Sequence, residues 1–149
     1  MSQQYSLPVW LEGVRSDETY RRWLYAKAAA HSNRDKKRGN PTCTAEAYRT
    51  AIHEAVVASN GQDSYTGRPL RWDLISTYDN ELSRTGKRAY KASLADMPSL
   101  DHVGDGLGAA DFKICSWRIN DAKNDQSYEE FVELCRWVIQ HADKREPNS

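Results

Sequence analysis

Apolar positions along this chain fall into three stripes at helical spacing and two shorter runs that approach strict alternation. Tyr20, Trp23, Leu24, Ala28 and His31 recur every three or four residues behind Ser16 and Asp17, either of which can cap a helix, so they predict a first helix with one buried face. Gly39 and Pro41 end it. Tyr48, Ala51, Ile52, Ala55 and Val56 trace a second helix that starts at Thr42 or Thr44 and stops at Asn60-Gly61. The third begins at Ser127, where Glu130 makes a capping box. Its apolar face of Phe131, Leu134, Cys135, Val138 and Ile139 is expected to pack against the core and buttress the site. Ahead of the first helix, Leu7 to Leu11 predict an irregular arm folded back onto the body.

The shorter runs lie between the second and third stripes. Ser99 to Val103 reads as an extended segment, the three glycines of 104–110 as a flexible turn, and Phe112, Ile114 and Trp117 as a second strand-like stretch. Together they predict a β-hairpin. From Arg118 onward the residues are polar and helix-compatible, which places Asn120 and Asn124 one turn apart on one helical face. Trp72, Leu74 and Ile75 read as a short strand or a buried irregular segment, and Asp79, Asn80 and Glu81 as a polar loop. The expected fold is α+β, a mostly helical small domain around a β-hairpin followed by a helix. Residues 1–60 form a helical scaffold, 61–143 carry the hairpin and helix core, and 144–149 are a tail, all in one compact unit.

Composition narrows the function classes. With 39% hydrophobic and 28% charged residues the chain is globular, not a disordered segment. No apolar run reaches the roughly 18 to 20 residues of a membrane span, and the first residues lack a signal-peptide core, so no membrane association and a cytoplasmic location are expected. Cys43, Cys115 and Cys135 form no CxxC pair and read as reduced, mostly buried thiols. Net charge is zero but unevenly spread. Residues 21–40 hold seven Lys or Arg against one Asp, whereas residues 101–149 hold six against ten Asp or Glu. The basic run around Arg34, Lys36, Lys37 and Arg38 suits phosphate contact, and Arg84, Lys87, Arg88 and Lys91 form a second basic stretch. His31 and His53 read as structural histidines beside their stripes.

The candidate chemistry sits at the hairpin. Asp101 and His102 are neighbours on a strand and point to opposite faces, so one can bind a metal while the other reaches a different atom of the same substrate. Oxygen donors such as Asp101 and Asn120 suit a hard divalent cation, Mg²⁺ or Mn²⁺. A histidine beside it, titrating near neutrality, can take a proton from an attacking water. That combination is phosphodiester hydrolysis.

The stretch from Ser99 to Asp125 resembles the ββα-metal core of the HNH endonucleases, in which an Asp-His pair on the first strand precedes a middle Asn and a helix-borne Asn. The resemblance implies that Asp101 is a metal ligand, His102 the general base and Asn120 the second metal ligand, with Asn124 as a further candidate ligand one turn on. Asn120-Asp121-Ala122-Lys123 resembles the family's Asn-Arg-Ala-Lys ending, which implies phosphate contacts by Lys123 and Arg118. The middle Asn falls on Asp111, which when ionised accepts but does not donate; it is placed to orient His102. Many members brace this core with two Cys pairs around a structural zinc; the corresponding positions are Asp63, Thr66, Ser116 and Ile119, so no structural zinc is expected. The implied activity is one-metal hydrolysis of DNA, in preference to RNA, leaving a 5′-phosphate and a 3′-hydroxyl. One site cuts one strand per engagement, so a homodimer is among the expectations. The alternative is a catalytically degenerate HNH-like module that binds nucleic acid or a partner without cleaving.

Overall fold

Two antiparallel-packed helices supply the wall on which the rest of the chain is built. In the computed structural model, which describes residues 5–41, 43–76, 85–86, 92–104 and 107–145, α1 spans Asp17–Lys37 and α2 spans Ala45–Ser59. Their starts follow from capping: the Ser16 side chain accepts from Thr19 N–H, and that of Thr44 from Ala47 N–H. Helix α2 stops where Asn60 and Gly61 both take positive φ. At Gly61 a side chain would also meet the Trp10 ring, with a Cβ only 3.2 Å from it, so the turn and the packing both select glycine. The loop of Asp79, Asn80 and Glu81, the basic stretch of Arg84, Lys87, Arg88 and Lys91, and the last four residues lie outside the described residues.

The predicted arm does fold back. Val9–Leu11 form a short 3-10 turn, Tyr5 and Leu11 are buried in the main cluster, and Trp10 meets Trp72 at 5.0 Å between ring centroids. Trp72–Leu74 is a second 3-10 turn, with Trp72 and Ile75 buried. One hydrophobic cluster takes Tyr20, Leu24 and Ala28 from α1, Ile52 and Val56 from α2, and Leu100, Phe112 and Ile114 from the hairpin. Scaffold and hairpin therefore share a core.

The hairpin consists of β1, Pro98–His102, and β2, Phe112–Ser116, paired antiparallel with Leu100 opposite Ile114 and His102 opposite Phe112. Alternation gives it two faces. Leu100, His102, Phe112 and Ile114 face the scaffold. Ser99 and Asp101 belong to the other face, which is covered by α3, Trp117–Lys123. The α+β class and the hairpin-then-helix order are as expected from the sequence.

Between the second helix and the hairpin, one buried carboxylate fixes the chain. Asp63 is 2% exposed; its Oδ2 accepts from Ser116 N–H at 3.0 Å, while Oδ1 accepts from Tyr65 N–H at 2.8 Å and Thr66 N–H at 3.3 Å. Ser116 then caps α3 by accepting from Ile119 N–H. A turn near residue 63 is thus tied to the strand end from which α3 starts.

Two expectations change. Helix α3 ends at Lys123, and Asn124 is its C-cap at φ 52 and ψ −128, so Asn124 does not continue the helical face that carries Asn120. An Asn tolerates that backbone better than a branched residue. The last helix, α4, Tyr128–Asp143, begins with the predicted capping box, yet none of its residues is buried. It does not pack into the core. Both faces of the hairpin are already covered; the start of α4 leans on the body with Tyr128 5.5 Å from Tyr65, and Phe131, Val132 and Cys135 are half-buried.

Asp63→Ala leaves three backbone N–H groups without their acceptor, one of them buried at the head of α3. Urea unfolding is expected to show a loss of about 3 kcal/mol, and a loss below about 0.5 kcal/mol would mean that the carboxylate does not fix this junction.

Candidate functional site

Because β1 is short and covered on both faces, its last two residues deliver their side chains to different neighbours at the mouth of one groove. The groove has a volume of about 1230 Å³ and is lined by β1, the side of α1, the α3 region and the start of α4. Asp101, His102, Asn120, Lys123 and Asn124 all border it.

His102 meets α1 and α2. Its Nε2 lies 3.2 Å from Oδ2 of Asp35, and its ring sits 4.8 Å from that of Phe112. Asp35 is 1% exposed, and the same Oδ2 accepts from the Tyr48 hydroxyl. Burial, followed by that hydrogen bond to Asp35, holds the Tyr48 hydroxyl protonated well above the usual phenol range. The other carboxylate oxygen, Oδ1, is buried with no hydrogen bond among the described residues and has Arg38 Nη1 at 3.7 Å. Asp35, and not Asp111, is what the fold brings to the His102 imidazole. Asp111 is exposed; its carbonyl accepts from Val103 N–H at 2.9 Å, and it borders a smaller cleft on α2 instead of this groove.

Asp101 meets α3. Its Oδ2 accepts from the Tyr65 hydroxyl and lies 2.9 Å from Lys123 Nζ, which also donates to the Gln126 carbonyl at 2.6 Å. Lys123 is 5% exposed. The residue expected to contact phosphate thus borders the groove with its ammonium in an internal ion pair. Asn120 donates from Nδ2 to Ser99 Oγ at 3.1 Å and keeps its amide oxygen as an acceptor. Arg118 is exposed, pairs with Asp96 at 3.4 Å and does not border the groove.

The α1 wall is basic at helical spacing. Lys27, His31, Arg34 and Arg38, at i, i+4, i+7 and i+11, all line the groove, with Lys113 of β2 bordering it as well. Of the four basic residues expected to contact phosphate, Arg34 and Arg38 are at the groove, while Lys36 and Lys37 are exposed and absent from its lining. Burial, then the neighbouring Arg34, lowers the Lys27 ammonium pKa. Burial lowers that of His31 to about 4, with Arg34 and His102 adding to the effect. His31 is therefore neutral near pH 7, packed 5.9 Å from the His102 ring, and its buried Nδ1 has no hydrogen bond among the described residues. The opposite rim is acidic, with Asp121, Asp125, Glu129 and Glu130.

Three residues of this site, Asp35, Lys27 and His31, carry a signal in their helical phase and none in a motif. Asp35 lies seven residues after Ala28, in phase with the buried face of α1, so an acid inside a basic run was in register to be buried. Lys27 and His31 share the phase of Arg34 and Arg38. His53, by contrast, is structural: its Nδ1 pairs with the Tyr20 hydroxyl at 2.7 Å.

The groove offers few oxygen donors of the kind a hard cation takes, and one Asp101 oxygen is shared with the Lys123 ammonium. Among the described residues no three His, Cys, Asp or Glu side chains gather around one point. Magnesium-like ions need only one or two protein oxygens, with water and substrate phosphate completing the shell. Oδ1 of Asp101 and the amide oxygen of Asn120 are two such donors. No protein-family model, curated protein or solved structure matches this chain. The chemistry of the groove must carry the functional reading.

The depressed His31 pKa has a defined pH consequence. Unfolded, this side chain takes a proton near pH 6.5; folded, only near pH 4. The unfolded state binds more protons between those values, so the stability contribution is complete above about pH 6.5 and is lost as pH falls toward 4. Thermal unfolding across that window is expected to show Tm falling with acid in the wild type and a flatter profile in His31→Gln. An unchanged slope in the variant would assign the acid sensitivity to another group.

Proposed function

We propose that this chain is a metal-dependent endonuclease of the HNH type, which hydrolyses DNA phosphodiester bonds in the groove between α1 and α3. The observation that carries the reading is the pair Asp101-His102 opening onto one groove, with His102 held at Nε2 by a buried carboxylate and a cationic helix face alongside. Asp35 keeps the proton on Nε2 and leaves Nδ1 as the basic nitrogen. Nδ1 then takes a proton from water as the water oxygen attacks phosphorus. The bond from phosphorus to the 3′-oxygen breaks, and that oxygen leaves as a hydroxyl once protonated. Arg34, Arg38 and Lys27 hold the phosphates flanking the scissile one. Asp101 and Asn120 would hold Mg²⁺ or Mn²⁺, which when bound stabilises charge on the phosphate and on the leaving oxygen.

The Asp63 junction supports the same reading. The HNH resemblance assigns positions 63, 66, 116 and 119 to zinc-binding cysteines in many members. Here hydrogen bonds from Ser116 and Thr66 N–H to Asp63, and from Ile119 N–H to Ser116 Oγ, join the same four positions. A polar junction stands where those members place a metal.

A second reading is favoured by Lys123. Its ammonium already neutralises Asp101 at 2.9 Å, as expected if the site had lost its metal and become a nucleic-acid-binding or partner-binding module.

Supercoiled plasmid conversion at low salt separates the two. The nuclease is expected to nick or linearise DNA in Mg²⁺ or Mn²⁺ and to stop in EDTA. His102→Ala should cost at least about 100-fold and Asp35→Asn about 10- to 100-fold, with salt-dependent DNA binding retained in both. DNA retardation without cleavage in any metal, the same in wild type and His102→Ala, would overturn the nuclease reading in favour of the binding module.

A further inference from the structure

The two sides of the groove differ in charge and in chemistry, and the difference selects among forms of DNA. On the α1 side the row from Lys27 to Arg38 runs about 16 Å along the helix, the length of a few nucleotides. Arg34 and Arg38 are exposed there. On the far side stand the exposed carboxylates Asp121, Asp125 and Glu129, and beside them Tyr128. Tyr128 is 51% exposed; its ring leans on that of Tyr65, 5.5 Å away with 34° between their planes, and the Tyr65 hydroxyl is in turn anchored on Asp101. A half-open aromatic ring held from behind is a platform on which a nucleobase stacks. The groove volume of about 1230 Å³ also exceeds the roughly 300–1,000 Å³ of small-ligand pockets, as a polymer requires.

A duplex lying in this groove turns phosphates to both walls. One backbone meets Arg34 and Arg38, while the other meets Asp121, Asp125 and Glu129, like charge against like. A single strand has phosphates on one edge and bases on the other, which is the pattern of the groove. Its backbone follows α1, and its bases reach Tyr128 and the carboxylates, which accept hydrogen bonds from base amino and imino groups that pairing would otherwise occupy.

We propose that the groove takes one unpaired DNA strand, with its backbone against α1 and its bases toward Tyr128. The proposal deepens the nuclease reading and rests on it for DNA as the ligand. The strand to be cut then enters the groove separated from its complement.

Fluorescence anisotropy in EDTA at low salt tests it, with a labelled strand of about 12 nucleotides, the same strand paired with its complement, and an RNA strand of the same sequence. The unpaired DNA is expected to bind at least about tenfold more tightly than the duplex. Tyr128→Ala should cost about tenfold in affinity for the unpaired strand and Tyr128→Phe should keep it, since stacking needs the ring and not the hydroxyl. Asp121→Asn combined with Asp125→Asn should tighten duplex binding by about three- to tenfold. Circular dichroism checks that each variant is folded. A duplex bound as tightly as the single strand, a Tyr128→Ala variant that binds unpaired DNA as the wild type does, a duplex affinity unmoved by the paired Asp substitutions, or an RNA strand bound more tightly than the DNA would each overturn the proposal. Cleavage plays no part in EDTA. A protein that cuts plasmid but shows no strand preference therefore keeps the nuclease reading and loses this one, and a protein that shows the preference but cuts nothing does the reverse.

Discussion

A buried carboxylate cannot be left to itself, and the arrangement around Asp35 follows from that constraint. Moving an ionised side chain out of water costs several kcal/mol, and the fold sets the Tyr48 hydroxyl of α2 and the His102 ring of β1 against one oxygen and the Arg38 guanidinium at the end of α1 near the other. The same contacts that satisfy the acid align the scaffold with the hairpin. They also fix which nitrogen of His102 is engaged. Stability and the candidate chemistry therefore draw on one interaction.

The hairpin converts strand geometry into a division of labour. Adjacent side chains on a strand point apart, and here each face of the hairpin is covered by a different element. His102 is accordingly read by α1 and α2, and Asp101 by Tyr65 and α3. The two reach the same groove only because they stand at the strand end. The groove keeps opposite charge on opposite sides, cationic along α1 and acidic at the α3 to α4 connection.

The Asp63 junction and α4 illustrate two outcomes for segments around a small core. Asp63 shows a polar side chain collecting backbone donors from both ends of a long connection, so that α3 starts from a fixed point. Helix α4 shows the reverse. It is well capped and strongly amphipathic, but by the time the chain reaches it both hairpin faces are occupied. Its apolar stripe is consequently a surface, not an interior.

Local physics alone determined much of this protein. Apolar periodicity and capping residues announced α1, α2 and α4, glycines and alternation announced the hairpin, and the strand position of Asp101-His102 announced that the two side chains part company. These features depend on neighbours within about one helical turn or one strand pair, and such information is written along the chain. Which partner each side chain meets depends on packing between segments far apart in sequence, and only the tertiary structure decided it. Asp35 instead of Asp111 reached His102, 67 residues away along the chain. Lys123 turned inward to Asp101, because α3 lies across that face of the hairpin and leaves the ammonium little water. The apolar stripe of α4 is the clearest case: periodicity established the stripe, and the packing of the other elements on both hairpin faces left it outside the core.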